Sequence, residues 1–211
     1  MFSFERKIMK KIIILGFIVL QGVTALAQDK VKALQKKIDS LLTIDQLVQQ
    51  EMIKSNKNGA STVQMDSLEH VKMETFNRHI PILKQIIAKY GLPTYSLVGV
   101  KSSDNFIVMV NHSVTDTKFQ ERVISLAQKE MKKRNISGQQ IALLTDKMLI
   151  SSGRKQIYGT QCGYDKDGNA FARDLQDPAN VDEKRKLAGL TTLKEYLSFM
   201  TDLHKQMNKK N

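Results

Sequence analysis

Apolar side chains recur at alternating three- and four-residue steps between Asp29 and about Asn56, where Val31, Leu34, Ile38, Leu41, Val48 and Met52 share one face. That stripe predicts an amphipathic helix. Asp45 stands where the stripe wants an apolar residue, so it is either a buried carboxylate with a partner or a point where the seam bends. After a loop at Asn58-Gly59-Ala60-Ser61-Thr62, the residues Leu68, Val71, Phe76, Leu83, Ile86, Ile87 and Tyr90 predict a second helix. Its start is placed near Asp66, whose spacing to Glu69 fits a capping box. Pro81 removes one backbone bond and crowds the carbonyl of Asn77, which predicts a kink and two helical segments in series. Gly91 and Pro93 end the element.

Ser103-Asp104-Asn105 reads as the opening of Phe106-Ile107-Val108-Met109-Val110, a run too short for periodicity to separate helix from strand. Its β-branched residues favour strand. Phe119, Val123, Leu126, Ala127 and Met131 predict a further helix, ended by Asn135 and Gly138. Another carries Ile141, Leu144, Asp146, Met148 and Leu149 and stops at Gly153. The following run Gln156-Ile157-Tyr158-Gly159-Thr160-Gln161-Cys162-Gly163 is the least helix-prone part of the chain. With Asp165-Lys166-Asp167-Gly168-Asn169 as a turn and Ala170 to Leu175 as a return strand, it predicts a small hairpin. Asn180 to Glu183 reads as the cap of a short helix through Leu187, closed by Gly189. Thr192 and Glu195 cap a last helix with the stripe Leu193, Tyr196, Leu197, Met200, Leu203 and Met207. The fold class expected is mainly α, a single helical domain with a small β-hairpin and no internal repeat.

The 211 residues suit one core of ordinary domain size. At the start, Lys10 and Lys11 precede an apolar run from Ile12 to Val23, and Ala25-Leu26-Ala27 forms a small-x-small cleavage site. Residues 1–27 therefore read as a signal peptide and 28–211 as the mature domain, exported to the periplasm or secreted. Met9-Lys10-Lys11 would serve equally as a compact basic region with Met9 as the start. The apolar run falls short of the roughly 20 residues that span a bilayer, so no membrane anchor is expected after cleavage. No Cys follows that run to take a lipid.

The formal charge of +12 includes Arg6, Lys7, Lys10 and Lys11, opposed in the leader only by Glu5, so the mature chain carries +9. The lysines are spread over polar helix faces, and no aromatic residues interleave the local runs at Lys129 to Arg134 and at the C-terminus. Nucleic acid is therefore not an expected partner. Cys162 is the sole cysteine, so no internal disulfide forms, and nothing near it in sequence supplies a nucleophile's base. The mature histidines His70, His79, His112 and His204 never pair at ligand spacing, and no metal or other cofactor is expected. His70 and His79 read as surface or boundary residues of their helix. Asp165-x-Asp167-Gly168-Asn169 fails as a calcium loop, because Ala170 and Gln176 stand where Gly and Glu belong.

Three functional readings remain, the third an electrostatic binder of nucleic acid or an anionic polymer, set against the even spread of the lysines. Asn111, Gln156, Tyr158 and Gln161 offer donors and acceptors and Arg185 a planar fork, a set that suits recognition of a polar ligand or partner protein. The alternative is a hydrolase using His112 or a carboxylate such as Asp146 or Asp182 as general base. Asp146 beside Lys147 and Asp182 beside Arg185 are equally compatible with salt-bridged helix residues.

A succession of short motifs then carries a resemblance. Tyr90-Gly91-x-Pro93-Thr94, Val98-Gly99, His112, Leu144-x-Asp146, Gln156-x-Tyr158-Gly159-Thr160-Gln161, Val181-Asp182-x-x-Arg185, Gly189-Leu190 and Glu195-Tyr196 follow one another in order. Over roughly residues 40 to 200 the chain resembles a bacterial family known only as domain of unknown function 6624. The resemblance implies a mainly helical architecture and a polar set formed by His112, Asp146, Gln156, Tyr158, Gln161, Asp182 and Arg185. Asp45-Gln46 resembles the family's acidic N-terminal position. Asn111 departs from an expected Gln, and Cys162 from a larger apolar residue. The family implies no known activity.

Overall fold

The computed structural model describes residues 2–208, with side chains described from Gln28 onward. Seven helices and one two-stranded sheet make up the described chain, which is mainly α as its sequence predicts. The helices are α1 (Phe2–Lys57), α2 (Thr62–Tyr90), α3 (Tyr95–His112), α4 (Thr117–Lys132), α5 (Gly138–Ser151), α6 (Val181–Leu187) and α7 (Leu193–Asn208). The strands are β1 (Cys162–Tyr164) and β2 (Ala170–Ala172). The side chains of the predicted leader and its cleavage site lie outside the described residues. No described helix is long and apolar enough to cross a membrane.

Helices α1 to α5 enclose one apolar core, in which Ile38, Leu83, Phe106, Val110, Val123 and Leu144 are fully buried. Most of the stripes of α1, α2, α4 and α5 face it, although Val71 and Leu126 are exposed, and the run Phe106 to Val110 is buried within it. That run is helix, not strand. It forms the C-terminal part of α3, which begins after Thr94 and not at Ser103. Propensity loses here because neighbours on several sides bury Phe106, Ile107, Met109 and Val110, so side-chain burial outweighs the small β-preference of Ile and Val.

Two helix boundaries also differ from expectation. The capping box of α2 is Ser61 with Gln64, not Asp66 with Glu69, and the helix starts a turn earlier. Pro81 lies inside α2, which continues through it as one helix. The backbone break falls instead in α3 at Gly99, with φ 73° and ψ 166°. Such a conformation suits a residue without Cβ. Beside the break, the Val98 carbonyl accepts a bond of 2.9 Å from Gln35 Nε2 of α1. One turn further on, Asp39 accepts Ser102 Oγ at 2.9 Å and Asn105 Nδ2 at 2.8 Å. A polar seam thus ties α1 to α3 alongside the apolar one.

The remaining segment packs as a subsidiary layer. β1 and β2 pair antiparallel, with Cys162 opposite Ala172, Gly163 opposite Phe171 and Tyr164 opposite Ala170. The hairpin is shorter than predicted, because Gln156 to Gln161 is a loop touching the return segment through one bridge, Gln156 to Leu175. α7 lies against β2, and Thr201 Oγ1 accepts the Ala170 N–H at 2.8 Å. Its capping box is the predicted pair, Thr192 with Glu195. Asn180 precedes α6 without capping it, its side chain bonding Asp177 instead.

Candidate functional site

The break in the α1 stripe is a buried carboxylate. Asp45 follows Ile38 and Leu41 on the inward face of α1 and is 1% exposed. A carboxylate there is costly unless paired. Its partner is His112, at the last turn of α3, whose Nδ1 lies 2.9 Å from Oδ1 and 3.0 Å from Oδ2. Gln49, one turn along α1, donates Nε2 to Oδ1 at 3.0 Å. From α2, the Phe76 ring stacks on the imidazole of His112 with centroids 4.6 Å apart and planes 11° from parallel. Also from α2, His79 Nδ1 stands 4.0 Å from Asp45 Oδ2 and has no hydrogen-bond partner. His79 is buried, not a surface or boundary residue, whereas His70 is exposed as expected. Burial pushes the His79 imidazole below its usual range, Asp45 pulling the other way and Arg78 and His112 adding to the depression.

An ionised carboxylate can only accept, so the proton between Asp45 and His112 sits on Nδ1 of the ring. In the neutral form of the ring the lone pair then lies on Nε2. That nitrogen makes no bond among the described residues, and the His112 side chain remains 15% exposed. Next to it, the Asn111 carbonyl accepts Lys147 Nζ of α5 at 3.4 Å. Burial holds the Lys147 ammonium below the usual lysine range, and the charge of Lys72 depresses it further.

A second network is built on Asp146, the residue before Lys147. Its buried carboxylate accepts the N–H of Ile157 at 2.8 Å, of Tyr158 at 3.0 Å and of Thr160 at 2.8 Å, and the Thr160 hydroxyl at 2.9 Å. A loop without regular structure leaves such amides unpaired, and Asp146 satisfies three of them at once. Gln156 does the same from within the loop, donating Nε2 to the carbonyls of Gln161 and Arg173 and accepting the Gln161 N–H. Arg185 of α6, 1% exposed, donates Nε to the Thr191 carbonyl and Nη1 to the Tyr158 carbonyl, each at 2.7 Å. Its guanidinium lies 5.0 Å from the centre of the Tyr196 ring, whose hydroxyl reaches the Thr160 carbonyl at 2.7 Å. Burial pushes the Tyr196 phenol up to about 12. Exposed Asp182 accepts the Leu193 N–H at 2.6 Å and so closes the α6 to α7 connection.

Of the seven residues predicted for the site, Asp146, Gln156, Tyr158, Gln161 and Arg185 thus meet around one loop, with Asp182 at its margin. His112 belongs to the Asp45 network instead. Asp146 and Gln156 have committed their polar groups to the loop, Arg185 has spent Nε and Nη1 on carbonyls, and neither Asp146 to Lys147 nor Asp182 to Arg185 forms a salt bridge among the described residues. What stays available is the Tyr158 hydroxyl and the Gln161 side-chain carbonyl. Cys162 is half-buried on β1, its sulfur 3.8 Å from the Tyr164 hydroxyl. The described residues include no cluster of three or more His, Cys, Asp or Glu able to hold a metal.

Sequence reading missed His79, Phe76 and Lys147. A signal for the first two exists in the spacing of Lys72, Phe76 and His79, which puts all three on one face of α2. Two grooves of about 380 and 390 Å³ lie at the hairpin turn and between α1 and α3, lined respectively by residues such as Asp165 and His204 and by residues such as Asp39 and Lys101. Neither is lined by a member of the two networks.

The whole arrangement falls within residues 32–209, over which the chain matches the model of a family described as "Family of unknown function (DUF6624)". The chain belongs to this family. No curated protein matches it, and no solved structure does. Membership covers both networks, since Asp45, His112, Asp146 and Arg185 all lie inside the matched span.

Proposed function

We propose that this family member is an exported hydrolase in which His112, oriented by Asp45, acts as general base toward water. The observation that carries the reading is the buried Asp45 carboxylate gripping Nδ1 while the ring keeps an exposed edge. In that state Nε2 accepts a proton from an attacking water, and the imidazolium that forms is stabilised by the ionised Asp45 behind it. The same proton is then delivered to the leaving group, which returns His112 to its starting form. The basic start, apolar run and Ala25-Leu26-Ala27 site support export.

A second reading rests on a separate observation. The Tyr158 hydroxyl and the Gln161 carbonyl are unused on a loop whose backbone is otherwise fixed, which suits recognition of a polar ligand without chemistry. Turnover separates the two readings. The protein, His112→Gln and Asp45→Asn are assayed on chromogenic carboxylic esters, phosphoesters and anilides. General-base catalysis contributes roughly 10²- to 10⁴-fold, so a loss of that size is expected in His112→Gln. Undiminished turnover in that variant would discard His112 as the base.

A further inference from the structure

Four helices bring unlike polar groups together beside His112. α1 contributes Asp45, bonded to His112 of α3; α2 contributes Phe76, stacked on that ring, and His79, 4.0 Å from Asp45; α5 contributes Lys147, which reaches the backbone carbonyl of Asn111. The charges there cancel in number but do not all pair. Asp45 is the acid of the cluster, and its oxygens face His112 and Gln49. Lys72, on the same face of α2 as Phe76, is paired with Glu69 at 2.6 Å. Lys147 is half-buried and makes no salt bridge among the described residues, its one bond being the long contact of 3.4 Å to the Asn111 carbonyl.

Two further atoms are sealed from solvent with no partner, Asn111 Oδ1 and His79 Nδ1. Buried polar atoms are normally satisfied, and exceptions call for a reason. A half-buried ammonium without a carboxylate, one residue from the side chain that would carry out the chemistry, is itself such an exception. Its depressed affinity for a proton has the same cause, burial first and the Lys72 charge second. A bound group of opposite charge offsets the cost of the half-buried ammonium.

We infer that the substrate of the proposed hydrolase carries an oxyanion, a phosphate or a carboxylate, and that Lys147 Nζ seats this group beside His112. The inference rests on the hydrolase reading for the word substrate and on Lys147 for the site. An oxyanion on Nζ places the remainder of the molecule toward the outer edge of the imidazole, where Nε2 is free. Lys72 supplies attraction at longer range and no contact. A neutral analogue of the same molecule lacks the anchor and binds less well.

Inorganic phosphate and acetate serve as probes, titrated at constant ionic strength while the ring signals of His79 and His112 are followed by NMR, with His70 and His204 as internal references. Saturable movement confined to His79 and His112 is expected. Lys147→Met and Lys147→Gln weaken it at least tenfold, Lys147→Arg keeps it, and Lys101→Met on exposed α3 surface leaves it unchanged. Equal binding by Lys147→Met, or a drift that sodium chloride reproduces, overturns the inference. Asp45→Asn separates the two readings, since it removes turnover and preserves phosphate binding. Lys147-dependent phosphate binding with no turnover on any ester would defeat the hydrolase and leave the oxyanion site. Turnover with the same KM for anionic and neutral esters in Lys147→Met and the parent would do the reverse.

Discussion

Nδ1 of His112 lies 2.9 and 3.0 Å from the two oxygens of Asp45, so a residue from the first helix fixes the ring orientation of one 67 positions later. Losing that hold has two measurable effects. Asp45→Ala leaves Nδ1 and Gln49 Nε2 without an acceptor, which at about 1–3 kcal/mol per orphaned buried group makes a large loss of stability. Asp45→Asn keeps the shape and can still accept one bond, so its melting point falls less while turnover falls as far as in His112→Gln. Urea melts read the first effect and kcat the second; equal kcat in Asp45→Asn and the parent contradicts an orienting role.

Asp146 is the more important residue for folding. Asp146→Ala deprives three backbone N–H groups and the Thr160 hydroxyl of their acceptor. At about 1–3 kcal/mol for each unsatisfied buried group, the three amides alone give a destabilisation of at least about 3 kcal/mol. Asp146→Asn is nearly as harmful, because its NH₂ faces donors. Exposed Asp182→Ala, which loses one bond to Leu193, costs no more than about 1 kcal/mol. Chemical denaturation of the three variants checks the order.

How far these roles are legible from sequence depends on the kind of signal. Asp45 is legible because it interrupts a periodic stripe, and such an interruption forces a choice between burial with a partner and a bend. Its partner is not, since nothing in the spacing of His112 marks a contact across 67 residues. Asp146, Gln156 and Arg185 stand in one succession of motifs, yet their partners are mostly backbone atoms, which have no letter in the sequence. Residues that bind a ligand and residues that bind a loop look alike at that level. The Phe106 to Val110 run misleads for a different reason, because local β-preference is worth a fraction of what core burial supplies.

Acid should weaken the protein through His79. Burial holds its imidazole below the ordinary value of about 6.5, so the folded chain takes up a proton less readily than the unfolded chain. The sign follows directly: the contribution is fully present above about pH 6.5 and is lost as the pH falls from there through the folded value. Urea midpoints measured between pH 7.5 and 5.5 should decline, and His79→Gln should flatten the decline. A midpoint that rises on acidification contradicts the assignment.

Cys162→Ser should change little. The thiol is half-buried on β1, with the Tyr164 hydroxyl at 3.8 Å and the Tyr196 phenol nearby, so a loss below about 1 kcal/mol is expected with turnover unaffected. A fall in turnover by orders of magnitude at an unchanged melting point would instead mark the thiol as reactive.

The three amides that Asp146 collects belong to a loop by their dihedral angles, and loops ordinarily exchange their hydrogens with water far faster than helices do. Here each N–H is held by a carboxylate that is 0% exposed and is itself seated on α5. Exchange at Ile157, Tyr158 and Thr160 then requires α5 to part from the loop, so these amides should carry protection comparable to that of the α5 core, while Lys166 and Asp167 at the hairpin turn exchange within moments. The loop therefore opens and closes with the bundle as one cooperative unit. A slow-exchanging loop of this kind has a practical use: deuterium uptake at three amides reports whether the whole domain is intact.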